Sequence, residues 1–316
     1  MKWKLHALTI EGDSRDEGIL RRWHDSFSSL STSAEAADIA LTLDITTAVQ
    51  PAPPRKPNFK QENLIEYYID GDLVTVHFPR FGQLRLDLAK RNTEGEIVRE
   101  ALTTYGVFED LIAIGLSPHL RRRDYFLIHA FAAVTPSPSP IAEEREGRGV
   151  LIVGNIGAGK TTTGMSLLNA GWKLLSNDSP IINGDAKILS YPGLLAAYSN
   201  TFARFEATKY LTSIGEGKIT VAAEKIWREV WIESATAGMI VFPKIESRGD
   251  HLLEPLSQPE ALRLIIPHAI EQWDKGMIPR HLEILNRLIQ SAPAYRLHLS
   301  PDVLSIPKVI ATSLRK

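Results

Sequence analysis

Gly149-Val150-Leu151-Ile152-Val153-Gly154-Asn155-Ile156-Gly157-Ala158-Gly159-Lys160-Thr161-Thr162 decides how the chain is read. The apolar run Val150 to Val153 has the composition of a buried strand, and a helical pattern runs from Thr161 to Ala170. Between them, Gly154 to Thr161 fits G-x-x-x-x-G-K-[ST], the spacing of a phosphate-binding loop. Glycines let successive backbone N–H groups turn inward around an anion, where a Cβ would obstruct the phosphates. The helix that follows adds its unpaired N–H groups and the positive end of its dipole. Lys160 would reach the β- and γ-phosphates, and the Thr161 hydroxyl would ligate Mg²⁺. The candidate nucleotide-binding residues are therefore Gly154, Asn155, Ile156, Gly157, Ala158, Gly159, Lys160, Thr161 and Thr162. The bland alternative is a glycine-rich strand-to-helix turn that binds nothing.

Composition narrows the classes around this loop. With 316 residues, one large or two modest domains are expected. A hydrophobic content of 44% and a charged content of 23% are ordinary for a globular protein. The net charge of −1 argues for neither a nucleic-acid nor an anionic-membrane partner, and Arg121-Arg122-Arg123 is too short to change that. The absence of cysteine excludes disulfides, thiolate nucleophiles and zinc–thiolate sites. Met1 to His6 lacks a signal-peptide apolar segment, and no apolar run approaches the ~20 residues of a membrane span, so a cytoplasmic location is expected.

Upstream of the loop, the pattern predicts a strand over Leu5 to Ile10 and a helix from Asp16 to Leu30. It then predicts an alternating strand from Ile39 to Ile45 and a proline-broken loop over Pro51 to Pro57. Ile65 to Ile69 and Leu73 to Phe78 read as a hairpin turned at Asp70-Gly71, and Gln83 to Leu88 as a third strand. Helical patterns are expected over Glu94 to Thr104 and Val107 to Leu116. Tyr125 to Val134 is an apolar run broken only by His129, and Thr135 to Arg148 reads as an exposed polar excursion.

Downstream, Gly171 should end the helix. Trp172 to Leu175 leads to Ser176-Asn177-Asp178-Ser179, and Ile181 to Leu189 reads as a hairpin. Residues 193–235 are poorly patterned apart from a turn at Gly215-Glu216-Gly217. Gly238 to Pro243 is a buried strand, Glu260 to Trp273 and Pro279 to Ser291 are helices, Tyr295 to Leu299 is a strand, and a final segment runs from Pro307 to Leu314.

Phosphoryl transfer needs a carboxylate for Mg²⁺, a group to orient or deprotonate the acceptor, and cations to offset moving charge. Asp178 is the Mg²⁺ candidate, at the end of a stretch where a neighbouring parallel strand would finish beside the phosphates. Its alternative is a turn or capping aspartate. His129 is either a core histidine held by hydrogen bonds or a catalytic one. Lys244, Glu246 and Arg248 lie past a strand end, as a solvated loop or as charge stabilisers. His268, His281 and His298 show no metal-ligand spacing.

Three segments then carry a resemblance: Ile128-His129-Ala130, Gly149 to Thr162, and Gly171-Trp172-Lys173-Leu174-Leu175-Ser176-Asn177-Asp178. Together they resemble the HPr serine kinase/phosphorylase superfamily, whose nucleotide-binding core is shared with phosphoenolpyruvate carboxykinases. Phe242-Pro243-Lys244, Ala292 to Leu297 and Pro301-Asp302-Val303 are similar to the HPr-kinase-related proteins found beside peptide-modification genes. The resemblance covers roughly residues 65 to 316. It implies an ATP- and Mg²⁺-dependent phosphotransferase acting on a hydroxyl, most simply a serine of a peptide or protein. It places His129 on the family's active-site histidine and Asp178 on the second acid of an Asp-Asp pair. The first acid, the family's general base, is Asn177 here.

An amide hydrogen-bonds a hydroxyl but takes no proton from it at neutral pH. Asp178 acts as base, His129 substitutes for the missing acid, or transfer has been lost and nucleotide serves as a regulatory ligand. The expected fold is α/β, with a P-loop-containing, HPr kinase-like nucleotide-binding core over residues 111–316. A smaller mixed, strand-rich N-terminal domain over residues 1–110 precedes it. Lys160 is expected as phosphate clamp, Thr161 and Asp178 as metal ligands, and Lys244 or Arg248 as charge stabiliser. The acceptor, the oligomeric state and the nucleotide base stay open.

Overall fold

Period-two burial dominates the first third of the chain in a computed structural model, which describes residues 1–27, 30–33, 36–61, 64–136, 147–211, 217–246 and 249–314. The chain divides into two units, Met1–Arg123 with Glu271–Met277, and Asp124–Ile270 with Ile278–Lys316. The first is built on eight strands: β1 (Lys2–Leu5), β2 (Leu8–Asp13), β3 (Ile39–Thr46), β4 (Phe59–Gln61), β5 (Ile65–Asp70), β6 (Leu73–Phe78), β7 (Gly82–Asp87) and β8 (Asn92–Val98). They form one sheet in the order β1-β2-β3-β8-β7-β6-β5-β4. The pairs β2–β3 and β3–β8 are parallel.

The helix Glu17–Phe27 makes the crossover from β2 to β3 and buries Ile19, Trp23 and Phe27, spaced four apart on one face. Trp3 stacks on Phe27 with ring centroids 4.9 Å apart. The helix Val107–Arg121 buries Phe108, Leu111, Ile112 and Leu116. From its last turn, Arg121 and Arg122 reach Asp274, and Trp273 stacks on Tyr67 at 5.0 Å.

Two expectations in this unit need correction. Leu5 to Ile10 is a hairpin rather than one strand, because His6 takes a left-handed conformation (φ 57°) and turns β1 back onto β2. Glu94 to Thr104 is not one helix. Its first part belongs to β8, paired with both β3 and β7, and only Glu100–Thr103 is helical. The expected boundary between residues 110 and 111 falls inside the helix Val107–Arg121, and the units part after Arg123.

The second unit holds β9 (Tyr125–Leu127), β10 (Ala130–Val134), β11 (Arg148–Val153), β12 (Lys173–Ser176), β13 (Ile181–Asn183), β14 (Ile188–Leu189), β15 (Leu195–Tyr198), β16 (Lys218–Val221), β17 (Ser234–Ile245), β18 (Leu252–Leu256) and β19 (Ala294–Leu299). Its main sheet runs β12-β10-β11-β17-β14-β13-β9, with β19 on the later half of β17 and β18 outside β19. β11–β17 and β17–β19 are parallel, and the other pairs in this sheet antiparallel. β15 and β16 form a separate ribbon within the stretch 193–235. The helix Lys160–Asn169 packs Met165, Leu167 and Leu168 into a core with Phe131, Val150, Ile152, Val241 and Leu297.

The helix expected over Glu260 to Trp273 is shorter. A capping box of Ser257 and Glu260 opens it at Gln258, and it gives way after Ile265 to a 3-10 turn, Ile266–His268, containing Pro267. Most of the Thr135 to Arg148 excursion (137–146), part of the Gly215 turn (212–216), and residues 247–248 lie outside the described residues. Among the described residues, no helix is long and apolar enough to cross a membrane.

Candidate active site

The glycine loop leaves β11 and enters the helix Lys160–Asn169. Gly157 and Gly159 take φ values of 83° and 97°, where a side chain would be strained. Gly159 is doubly constrained, since a Cβ there would lie 2.7 Å from Leu299 Cδ1. Within the loop the Ala158 N–H donates to Asn155 O at 3.1 Å, while the N–H groups of Ile156, Gly157 and Gly159 have no backbone acceptor among the described residues. Unpaired amides on an exposed strand-to-helix loop suit an anion.

Lys160 begins the helix with only 8% of its surface exposed. Its ammonium reaches Gly154 O at 2.6 Å, Asn155 O at 3.3 Å and His129 Nε2 at 3.0 Å. An ammonium has three protons and no acceptor, so these contacts use every donor it has. Burial lowers the lysine's proton affinity, the charge of Asp178 opposes that, and Lys218 adds like-charge repulsion. Donation from Lys160 also decides the histidine tautomer: Nε2 accepts, so the ring proton sits on Nδ1. Nδ1 lies 3.4 Å from Asp178 Oδ1.

Topology makes this convergence. The apolar run 125–134 breaks into β9 and β10, and His129 occupies the break where the chain passes from one part of the sheet to another. β10 runs antiparallel to both β11 and β12, so its beginning meets the ends of both. β12 is therefore not the immediate neighbour of β11, as the expected parallel arrangement had it; β10 stands between them. The Asp178 carbonyl accepts the Ala130 N–H at 2.9 Å, which ties the segment after β12 to the start of β10.

The Ser176 hydroxyl, not Asp178, caps the turn after β12, accepting the N–H groups of Asp178 and Ser179 at 3.4 and 3.1 Å. The Asp178 carboxylate is left facing His129. Asn177 is held by its Nδ2 donating to Leu194 O at 2.9 Å, just ahead of β15.

Thr161 and Thr162 stand half-buried in the first turn of the helix. Lys244 is elsewhere. Pro243 and Ile245 face Gly154 and Gly159, so strand alternation turns Lys244 to the other face of β17, where it pairs with Glu246 at 2.7 Å. Glu246 also meets His298 Nδ1 at 2.9 Å, and the bonds from Lys244 and His298 hold its carboxyl below the usual range. Arg248 lies outside the described residues.

Two residues join the site without a signal in the sequence. His268 follows Pro267 in the 3-10 turn; its carbonyl accepts the His129 N–H at 2.7 Å and its ring stacks on that of His129 with centroids 6.1 Å apart. Burial, then the charges of His129 and Lys160, depress its proton affinity. Lys218, at the start of β16, is near enough to bear on Lys160. Nothing in the periodicity of either segment marks these positions.

No protein-family model matches the chain, and no curated protein matches it. Among solved structures, the HPr(Ser) kinase/phosphatase from Coxiella burnetii is similar at 14% identity and a TM-score of 0.30, over 60% of this chain and 93% of that one. So slight a likeness carries no argument; the chemistry must come from the residues themselves.

Proposed function

We propose that the second unit is a nucleotide-dependent kinase core of the HPr kinase type, related in its nucleotide-binding part to phosphoenolpyruvate carboxykinases. It moves the γ-phosphoryl group of ATP to a hydroxyl, a serine of a peptide or protein in the first instance and a small-molecule hydroxyl as the variant. The observation that carries this reading is the buried Lys160 ammonium, held by two loop carbonyls and His129 at the mouth of a loop in which the Ile156, Gly157 and Gly159 amides lack a backbone acceptor among the described residues.

The triphosphate takes the place of those carbonyls, and Lys160 turns from them to the β- and γ-oxygens. Release of Lys160 bares His129 Nε2, which accepts the acceptor proton as the new O–P bond forms and the bond to the β-phosphate oxygen breaks. Asp178 faces the Nδ1 proton and steadies the imidazolium. Asn177 orients the hydroxyl and takes no proton. Mg²⁺ supplies charge neutralisation across the phosphate oxygens when bound. The described residues contain no cluster of three or more acids or histidines built for a metal. Thr161 and Asp178, both oxygen donors, would hold the ion. With Lys244 paired to Glu246, Lys218 is the better placed second cation.

The test is labelled ATP with Mg²⁺ and a serine-containing peptide library. Labelled peptide is the expected product. Tight ATP binding with neither product nor hydrolysis would overturn transfer and leave a second reading, a regulatory nucleotide-binding module, which Asn177 favours. Phosphate release without an acceptor would mark a bare ATPase. The reading involves no nucleic acid or membrane, places the protein in the cytoplasm, and leaves homo-oligomerisation open.

A further inference from the structure

His129 has contacts for each ring nitrogen, but neither fixes the plane of the ring by itself. Nδ1 faces an exposed carboxylate at 3.4 Å, and Nε2 faces a lysine that must move away when a phosphate arrives. Between Lys160 leaving and the acceptor hydroxyl docking, something else has to hold the imidazole. Among the described residues, His268 touches it in two ways: its carbonyl takes the His129 N–H at 2.7 Å, and its ring lies against the imidazole at 6.1 Å between centroids with 26° between planes. Neither ring nitrogen of His268 bonds a described residue, so this contact is a face, not a polar pair.

His268 is also placed by an element that differs from the rest of the site. His129, the glycine loop and Asp178 stand at the ends of β10, β11 and β12, whereas His268 ends the 3-10 turn that follows Gln258–Ile265. We infer that His268 is a positioning residue, whose ring holds the His129 imidazole with Nδ1 toward Asp178 and Nε2 toward the reacting centre. The inference rests on the kinase reading for its kinetic consequence, but the orientation it asserts can be read without any turnover.

The experiment compares wild type with His268→Ala, His268→Gln and His268→Phe. Nitrogen-15 correlation spectra of the imidazoles, taken with a non-hydrolysable ATP analogue and Mg²⁺ so that Lys160 has left Nε2, report which nitrogen of His129 carries the proton. Wild type and His268→Phe should show one tautomer, protonated at Nδ1, while His268→Ala and His268→Gln should show a mixture. Under ATP and Mg²⁺, the alanine and glutamine variants should lose about tenfold in kcat with KM for ATP within about twofold, and phenylalanine should stay within about twofold of wild type.

A single Nδ1-protonated species in all four proteins would overturn the inference. So would a phenylalanine variant as impaired as alanine, which would give the His268 nitrogens a part of their own. Should the alanine variant fail to fold, the glutamine and phenylalanine pair decides by the same criteria. If the tautomer pattern holds and no protein turns over ATP, the positioning stands and the kinase reading falls.

Discussion

Arg121 in the first unit and Lys160 in the second are both buried cations, with 3% and 8% of their surface exposed, yet their partners differ in kind. Arg121 donates through Nε and Nη2 to Asp274, which also takes both Nη groups of Arg122. Burial pushes the Asp274 carboxyl up, but the bond from Arg122 and the charges of both arginines outweigh it and hold the group below the usual range. Lys160 has two carbonyls and an imidazole nitrogen instead, and its nearby carboxylate faces it across His129. The first arrangement is closed: charge and donors are matched inside the protein, and an arriving anion would gain nothing. The second is donor-satisfied and charge-unsatisfied, so an arriving anion would find there a cation that no bonded carboxylate neutralises.

The contrast breaks most sharply at Asp274. Asp274→Ala leaves Arg121 buried without a counter-charge and should cost about 3–5 kcal/mol, read from urea unfolding. Nucleotide affinity in that variant should not change. A loss of ATP binding equal to that of a loop variant would show that the two cation sites are not independent in role.

Next in size is a pH effect confined to the first unit. His119 is buried, and its Nε2 meets Thr93 Oγ1 at 2.9 Å, while that hydroxyl donates to Gly115 O. His119 Nε2 is therefore the donor, and Nδ1, where a second proton would go, has no partner. Burial, then Arg122 and Arg121, lower its pKa from 6.5 to about 4. Between those values the unfolded chain binds the extra proton and the folded one does not. Stability is thus complete above about pH 6.5 and declines as pH falls toward about 4, by at most about 3 kcal/mol. His119→Gln, which keeps an N–H for Thr93, should remove that slope from urea midpoints compared at neutral and acid pH.

Lys160→Ala should weaken ATP binding about a hundredfold by calorimetry, since a charge-assisted contact to phosphate is lost. Stability should stay level or rise slightly, because a desolvated cation has been removed. A strongly destabilised variant would place Lys160 with Arg121, as a structural cation. The smallest effect is expected at Asn177→Asp. An acid there would share the work of His129, and a rise in transfer of about tenfold would be seen in initial rates. An unchanged rate would show that His129 already takes the proton without limiting the step.

Legibility in the sequence follows the range of the forces involved. The glycine loop was readable because local backbone geometry demands it: positive φ at Gly157 and Gly159, then a helix start at Lys160. The strand β8 was not. On its buried face stand Thr93, Gly95 and Ile97, and Gly95 is silent to a hydrophobic pattern. The glycine is there because a Cβ would come within 2.4 Å of Leu43 and 2.5 Å of Leu84, a constraint set by β3 and β7. Lys244 shows the same limit from the other side. It follows a strand end in the sequence, but the facing of β17 sends it to Glu246.

What the residues determined alone was the strand, the loop and the helix, since nearest-neighbour sterics and hydrogen bonding suffice for each. Only the tertiary structure put β10 between β11 and β12, brought Asp178 to face His129, and laid His268 against that ring. Those contacts join parts of the chain far apart in sequence. Their geometry comes from sheet order and packing, which no local pattern encodes.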